Sequence, residues 1–333
     1  MITFERTDVK DVNWENVGVF SEINVFQTLP WLNFLAETQK AEPVVAAAKS
    51  DGHLLGYFTG LIVNKYGIKV LGSPFRGWGT YFMGFSMMPD VSRREALQAL
   101  PAFAFKELGC DYLEVVDPCL CASDWTGLPY KVEDLNWFTI DLTKSEDELF
   151  ADMKHSGRNC IRQSIKRGVT IEEASDIEFA EEYYDQYKDV LAKRSIVPAY
   201  SLAYLQKMIE TLLPTGHLLL LRARNLDGLC IATGIFLALN KTAVFWGAAS
   251  WREHQHLRPN EPLAWQGMQN LKARGIHELH FGGECEQYKE KLGCNEITLH
   301  RLMKAKYAVL GRLLDLATSP KGTRYRNWAL RRL

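Results

Sequence analysis

Two distant stretches of the chain follow one plan. Residues 44–60 read VVAAAKSDGHLLGYFTG, and residues 218–234 read LLLLRARNLDGLCIATG. Each is an apolar run, an Asp-Gly turn and a second apolar run closed by glycine. Asp-Gly between apolar runs signals a hairpin, because the tight turn needs positive φ at its centre. A following strand also recurs, as Lys69-Val70-Leu71-Gly72-Ser73 and as AVFWGA over 243–248. Then comes a helical apolar pattern with Lys106-x-x-Gly109 or Lys272-x-x-Gly275 at its end, and a short strand. An amphipathic helix precedes each hairpin, at 31–39 and at 202–213, the latter ended by Pro214. Repetition in the same order points to a duplicated unit. Strands interspersed with helices place the fold in the α/β (α+β) class, as two tandem units, each a mixed sheet flanked by helices. The expected division is 1–142, 143–305 and a basic C-terminal helix or tail over 306–333.

At 333 residues, 47% hydrophobic and 24% charged, the chain can bury a large core without staples. A formal net charge of −1 excludes a globally basic nucleic-acid binder, so no DNA partner is expected. Yet from residue 301 onward only Asp315 is acidic among nine basic side chains. Such an end suits an anionic partner or membrane surface, or forms a solvated helix. The first residues lack an apolar signal region, and the longest apolar stretch is far short of the ~20 residues that span a bilayer. Seven cysteines with no CxxC pair fit a reduced compartment, so a cytoplasmic location is expected, with the inner membrane face as a variant. Cys119-x-Cys121 and His254-x-His256 lack the further ligands that a zinc site needs, and no metal is expected.

Common catalytic signatures are missing. There is no GxxxxGK[ST] phosphate loop and no GxGxxG dinucleotide fingerprint. Gly84-Phe85-Ser86-Met87-Met88 lacks the last glycine of a nucleophile elbow. What remains are classes without short signatures.

Four stretches carry a family resemblance. They are Phe26-Gln27-Thr28-Leu29-Pro30-Trp31; the basic run from Met153-Lys154 through Arg158-Asn159-Cys160-Ile161-Arg162 to Gly168-Val169; Asn260-Glu261-Pro262-Leu263-Ala264-Trp265; and Phe281-Gly282-Gly283 followed by Tyr288-Lys289 and Leu292-Gly293. In this order they resemble the Fem-type (FemABX-like) acyltransferases, in which two GNAT units are fused. The resemblance implies an N-acyltransferase acting on an amine of a cell-envelope or polysaccharide precursor. Two departures bear on the donor. The long coiled-coil insertion common in members that use aminoacyl-tRNA is absent, and so is the usual GNAT pyrophosphate loop. Acyl-CoA is the expected donor substrate, and an aminoacyl-tRNA-dependent bridge-forming transferase is the alternative, with tRNA as partner. A non-catalytic nucleotide-sugar binding or protein-interaction module is the further alternative. No bound cofactor is expected.

Particular residues fit this chemistry. Ser145-x-x-Glu148 forms a capping box, so a helix starts there. Lys154, Arg158, Arg162 and Lys166 recur every four residues and form one cationic stripe suited to a diphosphate, or simply a solvated face. Gly282 and Gly283 allow close backbone approach to a ligand, with N–H groups able to stabilise an oxyanion. The resemblance places Tyr288 and Lys289 near the cleft for donor and acceptor. An attacking amine must lose a proton, and Glu284, Glu286 and His254 are the candidate bases. Cys285 lacks a partner histidine for nucleophilic catalysis. The loop with Arg76 and Trp78, and its counterpart around Trp246 and Arg252, can stack a sugar or base and contact phosphate. The basic tail is expected to hold the enzyme near a lipid-linked acceptor.

Overall fold

The computed structural model describes residues 1–8, 12, 20, 22–65, 67–192, 196–283 and 286–312. Among these residues thirteen strands form one mixed sheet. They are β1 (Thr3–Thr7), β2 (Glu42–Ser50), β3 (His53–Lys65), β4 (Ile68–Ser73), β5 (Gly84–Met87), β6 (Tyr112–Val116), β7 (Lys131–Asp141), β8 (Thr170–Ala174), β9 (Leu218–Arg224), β10 (Cys230–Leu239), β11 (Thr242–Ser250), β12 (Glu278–Gly282) and β13 (Asn295–Ala305). The order is β1-β2-β3-β4-β6-β13-β7-β12-β11-β10-β9-β8, with β5 on β3.

Both hairpins form where the Asp-Gly signals stand. Asp51 and Gly52 take φ of 50° and 82°, and Gly228 takes 79°, so the turns use the positive φ that Gly supplies freely. After each hairpin a third strand pairs parallel to the strand beyond the helix, β4 with β6 and β11 with β12. The duplication is thus real at the level of topology.

The halves are tied by a strand exchange. β13 lies beside β6 of the first half, β7 lies beside β12 of the second, and β7 and β13 pair with each other from Asn295↔Thr139 to Met303↔Lys131. A cut in the sequence at 142/143 is therefore not a cut in the sheet. Across this seam Arg301 pairs with Glu114 at 3.1 Å and Glu133 at 3.7 Å, and Arg76 pairs with Glu133.

Nine helices matter: α1 (Leu29–Gln39), α2 (Arg93–Ala102), α3 (Ala122–Trp125), α4 (Glu146–Asp152), α5 (His155–Lys166), α6 (Phe179–Ala192), α7 (Leu202–Leu212), α8 (Asn260–Ala273) and α9 (Glu286–Lys291). On one face each half has its own core, with α2 over the first and α5 and α8 over the second. On the other face a single core joins both, built from Trp31, Phe34, Phe82, Trp137, Tyr183, Tyr204 and Trp246. Phe34 on α1 meets Tyr204 on α7 at 4.7 Å between ring centroids.

The Ser145 capping box is present, but the helix it starts ends at Asp152. Met153 and Lys154 are extended, and Lys154 is the N-cap of a new helix, α5. The four-residue stripe expected from Lys154 onward therefore spans a break.

Candidate active site

In the second half β11 and β12 pair only at Thr242↔Glu278, Ala243↔Leu279 and Val244↔His280. β11 continues to Ser250 along β10, and its register on β10 slips between Ile235 and Phe236, leaving Trp246 as the extra residue. A bulge bends and twists its strand, so β11 leaves β12 at this point and a V opens between them. Phe245 and Phe281 meet edge to face on one side of the opening, with ring centroids 5.3 Å apart. On the other face Trp246 is buried, and its Nε1 donates to the Gly79 carbonyl at 2.7 Å. The Trp246 carbonyl accepts from the Tyr81 hydroxyl at 3.0 Å. Gly79 has a φ of 66°, and a Cβ there would stand 2.9 Å from the Trp246 ring, so only glycine fits.

Past Ser250 the chain makes a short turn of helix (Arg252–Leu257) and enters α8. Here lies a cavity of about 410 Å³ lined by Cys160, Arg167, Gln255, His256, Arg258, Pro259, Asn260 and Glu261. Its N-cap, Pro259, has no side-chain acceptor for the first N–H groups of the helix. A helix N-terminus carries partial positive charge. Arg258 adds a guanidinium held by the Cys160 sulfur at 3.0 Å, and Arg167 adds another that donates to the His256 carbonyl. Each guanidinium has five donors, so both keep capacity for an anion. The one acid, Glu261, lies 3.7 Å from Lys291. Gln255 lines the cavity and reaches Ser250 at 3.5 Å, which joins the cavity to the end of β11.

Most residues singled out from the sequence are engaged elsewhere. Lys154 pairs with Glu290 at 2.5 Å. Arg158 turns back to the carbonyls of Ala151 and Met153, both at 2.6 Å, and so caps α4. Arg162 lies over the Phe150 ring at 5.3 Å, and Lys166 is exposed at the end of α5. Arg252 forms a two-pronged pair with Asp189, with contacts of 2.8 to 3.1 Å. Trp78 packs on Phe75 at 4.7 Å, and its carbonyl accepts from Tyr204 at 2.9 Å. His254 lies 3.3 Å from Glu253.

The Gly-Gly and Tyr-Lys pairs have structural duties. Gly282 takes a φ of 74°, and a Cβ on Gly283 would stand 2.5 Å from the Asn136 carbonyl. The close approach is thus to β7. Lys289 is 4% exposed, donates to the Gly282 carbonyl at 2.5 Å and lies 4.9 Å from the Phe138 ring centre. The Tyr288 hydroxyl donates to the Asn260 carbonyl at 3.0 Å. Together they lock α9 to the β12 turn and to the start of α8. Of the other candidate bases, Glu286 accepts from Asn136 at 3.3 Å, while Glu284, like Cys285, lies outside the described residues.

Several residues of the site carry no local signature. Trp137 Nε1 donates to His280 Nδ1 at 3.0 Å, so the ring proton of His280 is on Nε2, 3.3 Å from Glu278. That hydrogen bond holds the Glu278 carboxyl below its ordinary range. His280 sits at the last paired position before the V, so this chain fixes its apex. Arg258 likewise carries none, while Arg167 and Tyr81 stand at the ends of the basic run and of the loop with Arg76 and Trp78. Among the described residues no group of His, Cys, Asp and Glu can hold a metal ion, and no helix is long and apolar enough to cross a membrane.

Two mixed-sheet halves, one with a parallel strand pair opening beside a helix N-terminus, make a tandem GNAT-like fold. Residues 151–290 match the family model described as an acetyltransferase (GNAT) domain. No curated protein matches the chain by sequence. Among solved structures FemX shares the fold over 93% of this chain and 100% of its own, at a TM-score of 0.74 and 14% identity. A tandem GNAT protein from the clavulanic acid biosynthesis pathway covers 92% of this chain and 98% of its own, at 0.53 and 11%. L-PGS from Bacillus licheniformis covers 93% and 96%, at 0.55 and 13%. The chain has a tandem GNAT fold like that of FemX, and the family-model match falls in its second half.

Proposed function

We propose that the protein is an N-acyltransferase that moves an acyl group from acyl-CoA to an amine of a cell-envelope or polysaccharide precursor. The observation that carries this reading is the V between β11 and β12, with a cationic cavity at the start of α8, just past the end of β11. A diphosphate on the donor would meet Arg258, Arg167 and the α8 N-terminus, because charge-assisted bonds from guanidinium groups suit phosphate oxygens. The acyl arm would lie along the unpaired edge of β11, which offers backbone donors and acceptors as a strand partner would. The amine then attacks the thioester carbonyl, the tetrahedral oxyanion collapses, and the CoA thiolate leaves, taking up the proton that the nitrogen loses as the amide forms. The basic tail would keep the enzyme near a lipid-linked acceptor at the inner membrane face.

Calorimetric titration with CoA, acetyl-CoA and longer acyl-CoAs tests the donor. The expected result is saturable one-site binding. Binding to aminoacyl-tRNA with none to any CoA would replace the donor and keep the transferase. Binding of UDP-amino sugars alone, without turnover on any donor, would leave a binding module.

A further inference from the structure

At the β8 edge of the sheet three features meet. α5 ends at Lys166, and Arg167 and Gly168 lead into β8, whose Thr170 pairs with Arg224 at the end of β9. The tip of the β9–β10 hairpin, residues 225–229, therefore lies beside the end of α5. Leu226 covers Gly168 so closely that a Cβ there would stand 2.3 Å from its Cδ2. Large apolar side chains face water at this corner: Ile165 is 63% exposed, Leu226 81% and Leu229 48%. Exposed Arg162, Lys166 and Arg167 stand around them, and no acid occurs from His155 to Val169. The acid on the hairpin tip, Asp227, accepts from Asn225 at 3.3 Å.

We propose that this corner docks the protein on an anionic bilayer. Ile165, Leu226 and Leu229 would enter the boundary between headgroups and acyl chains, and Arg162 and Lys166 would meet lipid phosphates. Apolar side chains that project from a helix end and a hairpin tip, ringed by cations, suit that boundary, where apolar burial and attraction to anionic lipid act together. At this corner the apolar side chains are exposed to solvent. Arg167 also lines the cavity at the start of α8, so docking here would set that cavity at the membrane surface. The inference does not depend on the acyl donor, and its residues are other than those of the basic tail.

The test is co-sedimentation of the full chain with vesicles of phosphatidylcholine alone or with phosphatidylglycerol. Binding is expected only to the anionic vesicles, and it should weaken as salt rises. The pair Leu226→Ser and Leu229→Ser should weaken binding by about tenfold or more, from lost apolar transfer. The pair Arg162→Glu and Lys166→Glu should weaken it at least as much. Melting curves show whether each variant is folded. A chain lacking residues 313–333 should still lose binding when the corner is changed. Failure of the full chain to pellet with anionic vesicles would overturn the proposal. So would corner variants that bind as the parent does, with binding lost only on removal of the tail.

Discussion

The two halves share one plan and have treated its central opening in opposite ways. In the second, β11 and β12 part after three pairs, and a cationic cavity lies past the end of β11. In the first, β4 and β6 pair up to Ser73↔Val115, and the space beyond is filled from within. Asp117 sits there, almost wholly buried, and accepts from the Phe85 N–H at 2.9 Å and the Cys119 N–H at 2.8 Å. Arg93 stands 3.9 Å away and is itself paired with Glu22. The Ser73 hydroxyl closes the rest, donating to the Thr59 carbonyl at 2.5 Å and accepting from Gly84 N–H at 2.8 Å. Residues 74–83, between β4 and β5, bridge the halves: Thr80 accepts from Trp31 of the first at 3.0 Å, while Gly79 and Tyr81 bond to Trp246 of the second. One copy has become a plug and a clamp, and the other keeps the opening.

The largest effect should come from unplugging the closed half. Asp117→Ala leaves two buried N–H groups without acceptors and Arg93 without one of its partners. Breaking a buried pair in this way costs about 3–5 kcal/mol. Urea denaturation should show that loss, while the folded fraction still binds acyl-CoA with its parent affinity. A variant of parent stability that no longer binds donor would place the donor in the first half and reverse the comparison.

Asp117 also makes the plug sensitive to pH. Burial raises its carboxyl from an ordinary 3.8 to about 6, against the opposing pull of Arg93 and the two N–H groups. A raised carboxyl holds its proton longer in the folded state than in the unfolded one. Its contribution to stability is thus full below 3.8 and is lost as pH rises through 6. At about 1.4 kcal/mol per unit the change is about 3 kcal/mol. The melting temperature of the parent relative to Asp117→Asn should therefore fall between pH 4 and 7. A flat difference would mean that Asp117 is ionised throughout.

Much of the fold was legible because it is written in short range. Asp51-Gly52 and Asp227-Gly228 name their turns, and Asn260-Glu261-Pro262 marks the start of α8. The strand exchange left no such mark. β7 and β13 each follow a strand and a helical turn, and nothing local says which neighbour either will choose. The cationic stripe was legible as a pattern but not as a site. The chain breaks at Met153 and Lys154, and Arg158 is consumed by the carbonyls so exposed. The pairings that shape the opening were illegible for another reason. Trp137 and His280 lie 143 positions apart, and Tyr81 and Trp246 lie 165 apart, so each is meaningful only once the sheet has formed. Arg258 had one signal that could have been used, a cation directly before the Pro-Asn that starts a helix.

The open half can be tested against the stripe itself. Arg258→Gln removes a guanidinium from the α8 cavity and should weaken acyl-CoA binding by about 10–100-fold, as expected for a charged hydrogen bond of ~1.5–3 kcal/mol. Arg162→Ala removes a cation stacked on Phe150 and should leave donor affinity within about twofold. Calorimetry on both variants reads the difference directly. The reverse ranking would move the donor phosphates from the cavity to the outer face of α5.

The smallest effect belongs to the clamp that joins the halves. Tyr81→Phe removes the one hydroxyl hydrogen bond to the Trp246 carbonyl shown at the bulge, while the ring keeps its edge contact with Trp137 at 5.2 Å. Loss of a single neutral hydrogen bond should lower stability by about 1 kcal/mol. Because Trp246 is the bulged residue, its carbonyl lies where β11 turns away from β12, beside the proposed path of the acyl arm. If Tyr81 only braces the bulge, the variant should melt slightly earlier and keep its KM for donor and acceptor. If stability holds and the acceptor KM rises instead, the hydroxyl serves the substrate. The loop from the closed half would then be a working wall of the open one, and the two halves would share the site as well as the sheet.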